Sequence, residues 1–147
     1  DVKPGLAIGD RAVFSHRIGP QHTVPALYPE AGLFQAMPAV LATGYFVGLM
    51  EWACAEQLAP FYEEGEGSLG THVDFSHVAP TPPGLTVTVE SEVTAMDGKF
   101  IWFKCRAHDG VDMIGEGRHQ RAVVRWEKFV PKAMAKAGVA AQKEMAG

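Results

Sequence analysis

Three side chains of this sequence have the types and surroundings that acid–base or nucleophilic chemistry needs. Glu51 stands inside the apolar run GYFVGLMEWACA, residues 44–55. On a helical wheel its neighbours three and four residues away are Val47, Gly48, Cys54 and Ala55, none of them charged. A buried carboxylate must be paired, hydrogen-bonded or shifted in pKa. The alternatives are a carboxylate at the open edge of the helix, as Glu56 and Gln57 should be near the helix end, or one tied up in a structural ion pair. His77 ends a stretch of period two in which Leu69, Thr71, Val73, Phe75 and His77 share one face. That face is predicted to meet the helix. A lone histidine there is more often a satisfied core residue, but a His and a Glu aimed into one apolar seam are the arrangement that tunes proton transfer or nucleophilic attack. Thr43, two turns before Glu51, either satisfies local backbone groups or hydrogen-bonds Glu51 or a substrate carbonyl.

The other histidines suggest less. His72 should face outwards, and His16, His22, His108 and His119 have no metal-ligand spacing. The chain has no HExxH, no phosphate-binding glycine loop and no GxSxG, so no metal site is expected.

The elements that must hold these residues follow from two alternating patterns. Between Pro38 and Pro60 the sequence reads as one helix, apolar nearly all round and therefore buried on most sides. Gly44 and Gly48 share a face of it, which predicts the close approach of another backbone or a ligand. A strand is expected near Arg11–Ile18. After the loop FYEEGEG come four strands: Leu69–His77, Leu85–Ala95, FIWFKCRAH and MIGEGRHQRAVVRW. TPPG, MDGK and DGVD are read as hairpin-like turns between them. From Val130 onwards an Ala- and Lys-rich tail predicts a short exposed helix or a frayed end. Strands around one helix that is apolar on every side make an α+β chain with an antiparallel sheet wrapped about a buried helix, the hotdog architecture. Such a sheet leaves part of its helix and an edge strand uncovered, so a homodimer is expected.

Size and charge set the bounds. With 147 residues, 47% hydrophobic and 20% charged, the chain reads as a single domain with a real core. A net charge of −4 argues against nonspecific nucleic-acid binding, yet leaves room for an anionic small ligand. Two cysteines, Cys54 and Cys105, are too few for a disulfide scaffold, and the first ten residues lack the apolar core of a secretory signal. No membrane span is expected, and the cytoplasm is the expected compartment.

Several long stretches carry a resemblance to a known family: TVPALYPE, ATGYFVGLMEWAC, GEGSLGT, TPPGLTVTV and AHDGVDMIGEG, then RHQRAVV and EKF. From about Leu6 to Phe129 the chain resembles the fluoroacetyl-CoA thioesterases, a branch of the hotdog acyl-CoA thioesterases. The resemblance implies hydrolysis of a short acyl-CoA thioester by a dimeric enzyme that uses no metal and no cofactor beyond the CoA of its substrate. It carries the family's catalytic threonine, glutamate and histidine onto Thr43, Glu51 and His77, and its substrate contacts onto Val24, Gly70 and Arg121. A lid with two phenylalanines maps onto Phe34 and onto Met37, where the family has its second ring. Methionine is more flexible and fills space less definitely. A general short-chain thioesterase therefore stands beside the fluoroacetyl reading, followed by a hotdog hydratase or dehydratase and by a non-catalytic acyl-CoA-binding module.

Overall fold

The computed structural model describes residues 1–146; Gly147, the last residue of the expected tail, lies outside the described residues. Strand β1 (Arg11–Arg17) is followed by two short helices, α1 (Val24–Leu27) and α2 (Gly32–Gln35), and by the long helix α3 (Thr43–Leu58). Strands β2 (Glu66–Phe75), β3 (Thr86–Asp97), β4 (Phe100–His108) and β5 (Met113–Arg125) come next, and helix α4 (Trp126–Ala146) closes the chain. All five strands form one antiparallel sheet in the order β1-β3-β4-β5-β2. It curls around α3, which touches β1, β2, β3 and β4. This is the hotdog arrangement.

Alternation builds the core. Val87, Val89 and Val93 from β3 and Ile101, Phe103, Cys105 and Ala107 from β4 point inwards. They meet Phe46, Leu49, Met50, Ala53, Cys54 and Leu58 of α3. On its β1 side α3 is covered by rings: Trp52 lies 4.7 Å from Phe14 and 5.1 Å from His16, and Tyr45 lies 4.4 Å from His22. Gln57 is buried rather than open to water. Its amide donates to the Asp10 carbonyl and accepts from the Ser91 hydroxyl, so a polar side chain is satisfied inside the core. Of the two helix glycines, Gly44 lies near the Leu27 side chain, while Gly48 opens on free space.

Three expectations need correction. The helix begins at Thr43, not Pro38, because residues 38–41 turn and then bridge to other segments: the Val40 N–H donates to the Pro38 carbonyl, the Leu41 N–H to that of Thr81, and the Val24 N–H to that of Val40. The TPPG turn does not join a hairpin. Strands β2 and β3 are separated by β5 and β4, so residues 76–85 cross one end of the sheet. Finally, the tail is a 21-residue exposed helix, starting at Trp126, where β5 had been expected to end. Its alanine content favours that conformation, and Pro131 merely removes one donor near its start. The MDGK hairpin is as expected, but its two turn residues are Gly98 and Lys99, with Gly98 at φ +59° and Asp97 still in β3. Among the described residues no helix is long and apolar enough to cross a membrane.

Candidate active site

The expected site residues gather along the seam between α3 and the β2–β5 edge of the sheet, in two clusters. The first lies at the start of α3. Thr43 Oγ1 is 2.8 Å from His77 Nδ1. His77 follows the end of β2 but is held in line, because the flanking Ser76 and Val78 N–H groups donate to the Glu116 and Ile114 carbonyls of β5. Its ring stacks on Phe46 at 4.5 Å and 14°. Burial pushes its pKa below the ordinary histidine value. Nε2 is buried without a hydrogen-bond partner among the described residues, whereas Nδ1 meets the exposed Thr43 hydroxyl.

The second cluster surrounds Glu51. Its Oε2 accepts from Arg121 Nη1 at 3.2 Å. The carboxylate side chain is 40% exposed, the arginine side chain only 8%. Arg121 is anchored from the other side as well, donating from Nε to Ser68 Oγ at 2.7 Å and from Nη2 to the Ser68 carbonyl at 2.9 Å. Tyr62 Oη in turn lies 2.6 Å from Ser68 Oγ. Gly70, paired with Arg121 across the ladder, brings its backbone close under the carboxylate. A Cβ there would stand 2.6 Å from Glu51 Oε2 and 3.2 Å from His119 Cε1.

This geometry overturns two sequence expectations. Thr43 does not hydrogen-bond Glu51. Eight residues of α-helix separate them by about 12 Å, and Thr43 pairs with His77 instead. The alternation assigned to β2 also changes phase within the strand. Pairing with β5 shifts between Gly70 and His72. Ahead of that bulge Ser68 and Gly70 face the helix; beyond it Phe75 does so, 6.1 Å from the His119 ring. One extra residue reverses the faces. Thr71 accordingly turns outwards and donates to the Gln120 side chain.

Sequence reasoning missed His119 and Ser68. His119 Nε2 lies 3.1 Å from Arg121 Nη1 and its Nδ1 2.7 Å from the His72 carbonyl oxygen. Period two in RHQR would have put His119 beside Arg121. The remaining expected residues sit on the short helices. Val24 opens α1, Phe34 lies in α2 with its ring 5.6 Å from Tyr28, and Met37, just beyond α2, is exposed. A groove of about 500 Å³ on the outer face of the sheet mixes Arg11, Lys104 and Arg106 with Glu90 and Glu92 and shares no residue with either cluster. No group of three His, Cys, Asp or Glu among the described residues could hold a metal ion.

The model of the fluoroacetyl-CoA-specific thioesterase (FlK) family matches residues 23–127. The chain is 50% identical over 131 residues to the fluoroacetyl-CoA thioesterase of Streptantibioticus cattleyicolor, covering 89% of this chain and 94% of that protein. It belongs to the fluoroacetyl-CoA-specific thioesterase family. A solved structure of the fluoroacetyl-CoA thioesterase FlK superposes with a TM-score of 0.88 at 49% identity, covering 90% of this chain and 98% of that one. A phenylalanine-to-alanine mutant of FlK, in complex with fluoroacetate and CoA, matches with a TM-score of 0.83 at 50% identity, over 84% and 99% of the two chains. In this chain a threonine–histidine pair and an arginine-bound glutamate share one helix–sheet seam.

Proposed function

We propose that this protein hydrolyses fluoroacetyl-CoA to fluoroacetate and CoA, and so removes a toxic acyl group before it enters metabolism. The observation that carries the reading is the Glu51 carboxylate, bound to a buried arginine and lying so close to Gly70 of β2 that a Cβ there would displace it. The family and its CoA- and fluoroacetate-bound relative support the substrate class.

In this mechanism Glu51 attacks the thioester carbonyl through the oxygen that Arg121 leaves free. The C–S bond breaks, CoA leaves as the thiolate, and water hydrolyses the resulting mixed anhydride. Alternatively Glu51 takes a proton from the attacking water. The Gly70 N–H and Arg121 face the developing negative charge on the acyl oxygen. Val24 lines the acyl-CoA path, with Phe34 and Met37 above the acyl group. His77 moves protons through Nδ1, including at the acidified α-carbon of the fluoroacetyl group. The Thr43–His77 contact of 2.8 Å favours a second reading, in which Thr43 attacks and His77 takes its proton. Thr43→Val separates the two: loss of turnover equal to that of a Glu51 variant favours Thr43 as nucleophile, and a loss of about fivefold favours Glu51.

The scheme uses side chains and water alone, with no cofactor beyond the CoA of the substrate. It operates in one 147-residue domain that we assign to the cytoplasm, where the free thiols Cys54 and Cys105 stay reduced. A homodimer completes the fold: edge strand β2 exposes Gly70 to Asp74, and Gly44 and Gly48 leave a bare stripe on α3. Light scattering in solution should return twice the 15.9 kDa chain mass.

The deciding experiment compares kcat/KM for fluoroacetyl-CoA and acetyl-CoA on the purified protein. A preference of orders of magnitude supports the detoxifying role. Comparable values mean a general short-chain thioesterase, and tight binding without turnover means an acyl-CoA-binding module.

A further inference from the structure

His119 has no part in the mechanism above, yet it is fully buried beside it, two residues before Arg121 on the same face of β5. Its ring has two polar neighbours, the His72 carbonyl oxygen at Nδ1 and Arg121 Nη1 at Nε2. A guanidinium only donates, and a carbonyl only accepts. Nε2 must therefore be the bare, accepting nitrogen and Nδ1 the protonated one. The two neighbours fix both the tautomer and the neutral state.

Arg121 is held at two places as a result. Ser68 grips the edge formed by Nε and Nη2. Nη1, the far corner, has two N–H groups, one directed at His119 Nε2 and the other at Glu51 Oε2. We propose that His119 is a positioning residue for the hydrolysis: as a neutral acceptor it fixes the Nη1 corner of Arg121 and thereby aims the second N–H at Glu51. The inference rests on the reading of Glu51 as the reacting carboxylate.

The groups that face the His119 ring are Arg121 on its own strand, Glu51 across from α3, the His72 main chain and the Phe75 ring from β2. A proton added at Nε2 would turn a donor against a donor and push the guanidinium away from the carboxylate. Burial opposes that proton, and so does the charge of Arg121; both lower the pKa of His119. His119 touches no reacting atom. It acts through Arg121.

Two variants and one spectroscopic measurement test this. His119→Leu removes the acceptor, whereas His119→Gln keeps an amide oxygen that can accept from Nη1. With fluoroacetyl-CoA, H119L should lose about tenfold to a hundredfold in kcat with little change in KM, and H119Q should recover most of the loss. Side-chain ¹⁵N NMR should find His119 as the neutral Nδ1–H tautomer. It should also find resolved Arg121 Nη signals in the wild type and in H119Q that collapse in H119L. Unchanged kcat in a folded H119L overturns the proposal, as do equal losses in both variants with Arg121 signals unmoved. If H119L fails to fold, a protonated Nε2 in the wild type still overturns it. Should Glu51→Gln retain turnover, the reading of Glu51 fails, while the Arg121 signals continue to report whether His119 holds the arginine.

Discussion

The two ends of the site are built in opposite ways. At the start of α3 the Thr43–His77 pair has one hydrogen bond, an exposed hydroxyl and a ring whose second nitrogen finds no partner. Two turns further on, the Arg121 guanidinium uses four of its five N–H groups in hydrogen bonds, one of them to Glu51 Oε2. A group that moves protons needs spare bonding capacity, and a group that holds charge in place is fixed by many bonds. The contrast suits the roles proposed above, proton transfer at the first end and electrostatic preorganisation at the second.

The most severe way to break the contrast is to remove the carboxylate from the preorganised end. Glu51→Gln keeps the shape and still accepts a hydrogen bond from Arg121, so the fold should survive. Turnover of fluoroacetyl-CoA, followed as free thiol release, should fall by roughly a thousandfold or more. Near-normal turnover would remove Glu51 from the chemistry. His77→Ala strikes the proton-transfer end, with an expected loss of about a hundredfold on fluoroacetyl-CoA and clearly less on acetyl-CoA, whose α-carbon is less acidic. Equal losses on both substrates would sink the role at the α-carbon and leave His77 tied to the Thr43 hydroxyl alone.

How legible these two ends are in the sequence differs for a physical reason. Thr43, Glu51 and His77 stand out as polar residues in apolar surroundings, and the buried helix and the strands β3 and β4 follow from clean periodicity. The Arg121 network stands out less. Period two puts His119 beside Arg121 without saying what the pair faces, and Ser68 reaches them only because β2 pairs with β5 at the far edge of the sheet. A turn signal such as TPPG says that the chain bends; it does not say which strand it will pair with next. The bulge at Thr71 is equally hidden, because one inserted residue leaves no mark on composition while reversing the faces on either side of it. The exposed helix α4 makes the same point from the surface, since beyond Trp126, which lies against Gly67 of β2, its residues are largely exposed and its apolar pattern says little of where the helix starts.

Gly70→Ala sharpens the comparison by disturbing one end only. The new methyl group would meet Glu51 Oε2 at 2.6 Å, and that flexible, part-exposed side chain can swing aside. The protein should fold with a melting temperature near that of the wild type and lose about tenfold to a hundredfold in kcat, as a carboxylate misplaced by an ångström would. The Thr43–His77 pair should keep its NMR signature throughout. A G70A variant with full activity would mean that the position of Oε2 is not critical. Met37→Phe reaches neither end and should change only selectivity, raising the fluoroacetyl-CoA to acetyl-CoA ratio of kcat/KM by several-fold. An unchanged ratio would take Met37 out of substrate discrimination.

The gentlest probe is acid, and it acts on both ends at once. His77 and His119 each have a pKa lowered by burial from 6.5, as does His22, whose Nδ1 accepts from the Gly19 N–H and which also feels His16. A histidine held neutral in the fold binds its proton more readily once the chain unfolds. Its contribution to stability is therefore fully present above about pH 6.5 and is lost as the pH falls from there through the lower folded values. Asp109 responds further down. Burial would raise its carboxyl pKa, but the N–H groups of Asp112 and Val111 and the Thr81 hydroxyl outweigh that and lower it from 3.8, so its share goes only in stronger acid. The melting temperature should thus be flat from pH 8 to 7 and decline by a few degrees between pH 6.5 and 5. His77→Ala should make that decline shallower, because one of the neutral rings is gone. A melting temperature that rises as the pH drops below 6.5 would mean that the buried rings are charged in the fold. That result would remove His119 as an acceptor for Arg121 and, with it, the distinction between the two ends.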